Sequence, residues 1–139
     1  MNYSKRGNTW VIVLEKGEKI TESIKKFCSE TGIKSGIINA IGAAKDIKIG
    51  YFDINTKEYN ETNFSDYYEI TSLTGNVSTK DGQPYTHIHI NFTGADCVGY
   101  GGHFIEGTIT VTCEIFITEI DGELERIPDA ETGINVIKL

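Results

Sequence analysis

Along this chain apolar and polar residues alternate in short runs, the period of half-buried β-strands, and only one stretch departs to a helical period. Thr9–Glu15 (TWVIVLE) is the first such run and predicts a strand ended by Gly17. From Thr21 to Thr31 the spacing changes. Ile20, Ile24, Phe27 and Cys28 fall at i, i+4, i+7 and i+8, one buried face of an amphipathic helix. Thr21 is placed as its N-cap and Gly32 as its C-terminal stop, with Glu22 and Lys26 spaced to pair on the outer face. Strand patterns then resume in Lys34–Ala44, with Gly42-Ala43-Ala44 as a break or bulge, in Asp46–Ile54, and in Lys57–Glu61 as a hairpin partner.

Tyr67–Ser78 is a longer β-rich segment. Asp81-Gly82 is a turn signal, so this segment and the strand after Pro84 are expected to be antiparallel neighbours. In Thr86–Phe92, Ile88, Ile90 and Phe92 alternate with His87, His89 and Asn91. In Thr108–Thr118, Ile109, Val111, Cys113, Ile115 and Ile117 form the apolar set. Pro128–Gly133 reads as a loop and Ile134–Leu139 as a last short strand. The expected fold class is α+β: a mostly antiparallel sheet with one main amphipathic helix packed on it. At 139 residues, a single domain spanning 1–139 is expected.

Charge narrows the function classes. Thirteen basic residues against twenty acidic give a net charge of −7, with only Arg6 and Arg126 as arginines. Nucleic-acid affinity rests on clustered Lys and Arg, so a broad phosphate-binding surface is disfavoured. Three cysteines without a Cys-x-x-Cys pair, and no apolar leader in Met1–Thr9, fit a reducing, cytoplasmic setting. No apolar run approaches the roughly 20 residues of a membrane span. Cys28 and Cys113 fall on apolar faces. Cys97 lies in the loop between the histidines, where it is a soft fourth ligand, a free thiol or an inert loop residue.

The candidate chemistry is concentrated in Thr86–Glu106, which holds all three histidines of the chain. His87 and His89, at i and i+2 of a strand, project side by side from one face. Such a pair is either an ordinary polar face or half of a site for a divalent metal, since neutral imidazole suits Zn, Cu, Ni or Fe. His103 follows His89 after thirteen intervening residues, a span able to turn and return beside it. Gly101-Gly102, just before it, allows positive φ or close backbone approach. Three histidine ligands leave coordination positions open, the pattern of a catalytic or ligand-binding metal. Glu114 is expected to emerge on the histidine side, as a ligand, as a carboxylate orienting an imidazole, or as an exposed charge. Glu69 is either exposed or a carboxylate near the histidines. Beside a metal-bound water, either glutamate would be a candidate general base. No nucleophile motif is present.

Laid end to end, these motifs resemble the PPC (plants and prokaryotes conserved) domain family. They are Gly17-Glu18; Gly36-x-Ile38-x-Ala40-x-Gly42; Tyr68-Glu69-Ile70-x-Ser72-Leu73-x-Gly75-Asn76-Val77-Ser78; Asp81-Gly82-x-Pro84-x-x-His87-x-His89; Gly101-Gly102-His103-Phe104; and Val111-x-x-Glu114-Ile115. The resemblance implies the α+β fold above, assembly as a homotrimer, and His87, His89 and His103 as metal-binding residues, with zinc as the expected metal. It also implies a description as a predicted DNA-binding protein. That description derives largely from plant members with a separate AT-hook, and no Arg-Gly-Arg-Pro element occurs here. Glu69 corresponds to the glutamate of those members' Arg-Phe-Glu contact segment, whose arginine position differs in this chain (Asp66-Tyr67-Tyr68). Two functions follow as expectations. One is a small trimeric metal-binding protein whose ligand or substrate the sequence does not specify. The other is a DNA-associated or protein-interaction module without catalysis.

Overall fold

The computed structural model of the protein describes residues 1–139. Its elements in chain order are β1 (Asn2–Arg6), β2 (Thr9–Glu15), α1 (Ile20–Thr31), β3 (Gly36–Asp53), β4 (Glu58–Phe64), β5 (Tyr68–Lys80), β6 (Gln83–Thr93), β7 (Gly99–Glu119), β8 (Arg126–Pro128) and β9 (Asn135–Ile137). Every strand pairing within the main sheet is antiparallel, and one helix accompanies it. This is the expected α+β class.

The sheet runs β1-β2-β7-β6-β5-β3-β4, and β7 also pairs with β3. Strands β3, β5, β6 and β7 therefore close a circuit. Closure is possible because β7 is 21 residues long and divides its edges. Its first part, Gly99–His103, pairs with Thr93–His89 of β6. Its second part, Thr112–Thr118, pairs with Glu15–Thr9 of β2, while β3 runs along it over most of its length. The sequence pattern suggests two strands in each of the regions now filled by β3 and β7. In both, the chain stays paired through irregularities instead of turning away: β3 carries Asp46 at φ +51° and shifts register at Ala40/Gly42.

One irregularity moves a residue across the sheet. Between Gly42↔Cys113 and Ala44↔Ile109, β7 spends four residues against two of β3. Val111 is thereby turned outward and is 70% exposed, although simple alternation groups it with the buried Ile109, Cys113, Ile115 and Ile117. The Asp81-Gly82 turn has both residues at positive φ, as a two-residue hairpin with primed-turn geometry requires, and it joins β5 to β6 as expected.

Helix α1 buries Ile20, Ile24, Phe27 and Cys28, the face read from the sequence. Phe27 meets Trp10 and Tyr3 edge-to-face at 5.3 and 5.0 Å. Gly32 adopts φ +76° and donates its N–H to the Cys28 carbonyl, closing the helix. The N-terminal end differs from expectation. Lys19 is the N-cap residue and offers no side-chain cap, and Thr21 lies inside the helix with its hydroxyl donating to the Ile105 carbonyl at 2.9 Å. The cap comes from β7 instead. The Glu106 carboxylate accepts the Thr21 and Glu22 N–H groups at 2.9 and 3.2 Å, satisfying orphan donors and placing negative charge at the positive end of the helix. Lys26 pairs with Glu30, at 3.9 Å, rather than with Glu22.

Candidate metal centre

Strand pairing brings the histidines together. His89 of β6 stands directly opposite His103 of β7, and His87 is two residues back on the same face of β6. The other face of β6 carries Ile88, Ile90 and Phe92, all fully buried, which fixes the register: a slip by one residue would bury the histidines and expose the isoleucines. Gly101 sets how closely the two strands approach. A Cβ there would lie 2.7 Å from the Ile90 carbonyl oxygen and 2.7 Å from Asn91 Oδ1. Neither Gly101 nor Gly102 has positive φ, so close approach is the property in use here.

The three ring centroids are 5.3, 5.3 and 5.5 Å apart. One nitrogen from each ring can be chosen so that all lie within 4.8 Å of one another. Burial holds His87 below its ordinary pKa, helped by the Arg126 charge and by His89. Burial, then His87 and His89, pushes His103 down to about 4. Both rings are therefore neutral at pH 7, the form that donates a lone pair to a metal. His103 Nδ1 is buried and has no hydrogen-bond partner. An unsatisfied buried ring nitrogen is costly, and in the tautomer that leaves its lone pair free a metal ion satisfies it. The donor set, its protonation and the orphan nitrogen all fit a divalent metal bound by imidazole.

Three neighbours of this cluster were not singled out by the sequence pattern. The Tyr59 ring of β4 lies 4.9 Å from the His103 ring. It reaches there over Gly50, the residue opposite His103 in β3, where a Cβ would meet Tyr59 Cδ1 at 2.7 Å. Arg126 of β8 is buried, and its Nη2 lies 3.5 Å from His87 Nδ1. The Tyr85 ring lies 5.1 Å from the Arg126 guanidinium. The signal that was available is that Arg126 is one of only two arginines in an acidic chain.

The glutamates lie elsewhere on the molecule. Glu69 and Glu114 line a common groove with Ile41, Gly42, Thr71 and Thr112. Glu69 pairs with Thr93, four residues along β6 from His89, or about 13 Å at strand spacing. Cys97 is exposed in the β6–β7 loop, beyond the Thr93↔Gly99 pair, and is not among the clustered donors. The soft fourth ligand suggested by its position in the sequence is therefore not formed. The hairpin carries Cys97 past the end of the ladder while the histidines face each other four positions back.

The chain thus folds as an α+β unit with a partly closed antiparallel sheet, one covering helix and a cluster of three histidines. A model of the Plants and Prokaryotes Conserved (PCC) domain matches residues 1–121, and the chain belongs to this family. Among solved structures, a plant- and prokaryote-conserved (PPC) protein of Pyrococcus horikoshii is 38% identical. The alignment covers 99% of this chain and 95% of that one, with a TM-score of 0.90. A metal-containing protein of Archaeoglobus fulgidus is 35% identical over 100% of this chain and 99% of its own, TM-score 0.89. A protein of Bacteroides thetaiotaomicron, described as a presumed DNA-binding protein, is 30% identical over 99% and 96%, TM-score 0.95. No curated protein matches the chain.

Proposed function

We propose that residues 1–139 act as one metal-binding PPC unit, assembled as a homotrimer, with His87, His89 and His103 holding a divalent transition metal, zinc first among them. The observation that carries this reading is the convergence of three imidazole nitrogens within 4.8 Å, one ring having a buried nitrogen without a partner. The likeness to the Archaeoglobus protein, described as metal-containing, supports it. When bound, such a metal supplies a Lewis-acid centre with positions open to a ligand.

Trimer formation is supported by an exposed apolar patch on the sheet. Phe116 stands opposite Asn39, with Ile37 and Ile41 two residues to either side, and these three side chains are 42–56% exposed. Beside them lies a groove of about 310 Å³ lined by Ala40, Leu73, Thr71 and Glu114. Contiguous apolar surface of this kind marks an interaction face.

Zinc titration by calorimetry tests the metal reading. One equivalent per chain is expected for the wild type and none of comparable affinity for His87→Ala or His103→Ala. Equal uptake by all three proteins would reject the site. The description of the Bacteroides relative makes DNA binding the competing reading. A gel shift on mixed DNA at low salt decides it, since non-specific binding is strongest there. The net charge of −7 favours no shift.

A further inference from the structure

Arg126 is 6% exposed, yet none of the chain's ion pairs includes it. A buried guanidinium ordinarily has a carboxylate beside it, because an uncompensated charge in low dielectric is expensive. Here its partners are neutral. Nε donates to Ser78 Oγ at 2.8 Å, Nη1 to the Asn135 carbonyl at 2.7 Å, and Nη2 to Asn76 Oδ1 at 2.8 Å. Of five N–H groups, these bonds use three. The remaining contact is from Nη2 to His87 Nδ1, at 3.5 Å, on the edge of the histidine cluster. In a chain with twenty acidic residues, none is an ion-pair or hydrogen-bond partner of Arg126.

The contact between Arg126 and His87 cannot persist as a hydrogen bond once the histidine is a ligand. A neutral imidazole has one in-plane lone pair, on one of its two nitrogens. With that lone pair committed to a metal, His87 has nothing left to offer an Arg126 N–H. The guanidinium then has an unused donor facing a site whose net charge is strongly positive.

We infer that Arg126 and the histidine cluster together form a receptor for a small carboxylate, one oxygen of which accepts the Arg126 N–H while the ligand occupies the open side of the cluster. Planar guanidinium and planar carboxylate match in geometry, and a charge-assisted bond in a partly buried site is among the stronger polar contacts. The histidines lie within residues 1–121 matched by the PCC domain model, and Arg126 lies beyond them. The inference rests on the proposed metal reading.

The test uses the whole chain loaded with Co²⁺, whose visible spectrum reports ligands entering the site, titrated with acetate and, separately, with uncharged acetamide. In the wild type the spectrum is expected to change saturably with acetate and not with acetamide. Asn76→Asp places an internal carboxylate on Arg126 Nη2 without removing the arginine, and is expected to weaken acetate binding about tenfold, roughly one charge-assisted hydrogen bond. Arg126→Gln is expected to lose as much, where it folds. Failure of the wild type to take up cobalt overturns the metal reading and this inference with it. Cobalt uptake with no acetate response, or with equal responses to acetate and acetamide, overturns this inference alone. So does acetate binding of wild-type strength in Asn76→Asp.

Discussion

Replacing Gly101 with alanine should separate β7 from β6 at the point where the histidines meet. The added Cβ would sit 2.7 Å from the Ile90 carbonyl oxygen, about 0.7 Å inside ordinary van der Waals contact. Asn91 Oδ1, at the same distance, belongs to a side chain that can rotate away, but the Ile90 carbonyl is part of the ladder and cannot. The strands must part by a few tenths of an ångström, two residues from His103. Overpacking of this kind costs about 1–3 kcal/mol, and a donor set loosened on that scale should lose metal affinity about tenfold. Gly99→Ala, in the same strand, is the internal control. Nothing lies within 4 Å of its added Cβ and its φ is not positive, so it should be neutral or stabilising by up to about 1 kcal/mol through the unfolded chain. Urea unfolding of both variants in chelator, followed by zinc titration, measures the two effects separately. Equal stability of the two variants would mean that close approach is not what glycine supplies at 101.

Glu106→Ala should destabilise the protein by about 1–2 kcal/mol, and Glu106→Gln by less, because one acceptor oxygen survives; thermal unfolding that ranks the two equally would contradict the capping role. Burial pushes the Cys28 and Cys113 thiols up to about 12, so between pH 7 and pH 9 neither gains appreciable thiolate and Ellman's reagent should find one reactive thiol, Cys97, in the native chain and three in denaturant; a second native thiol reacting at a comparable rate would count against it. Ile41→Asp puts a charge in the exposed apolar patch and should shift sedimentation from trimer to monomer, whereas an unchanged coefficient would place the subunit contact elsewhere.

The readable parts of this chain are those where one face is buried and the other is not. β6 declares itself through Ile88, Ile90 and Phe92, and the same alternation puts His87 and His89 on one face. Helix α1 declares itself through Ile20, Ile24, Phe27 and Cys28. β1 is exposed at all five positions and held by pairing with β2, so Asn2–Arg6 carries no periodic signal. Val111 shows the reverse error: the pattern is present, but a bulge changes its phase. Glu106 and Arg126 act at sequence separations no local window spans, 85 residues to Thr21 and 39 to His87. The side chain that caps the helix and the one beside the histidines therefore became visible only with the fold.

In the proposed site three imidazoles from two strands share one metal ion. Elemental analysis of protein purified without a histidine tag, beside His87→Ala and His103→Ala prepared identically, tests it most directly. Close to one equivalent of a divalent transition metal per wild-type chain, and little in either variant, is expected. Trace metal in the wild type, or the same content in all three, would contradict it.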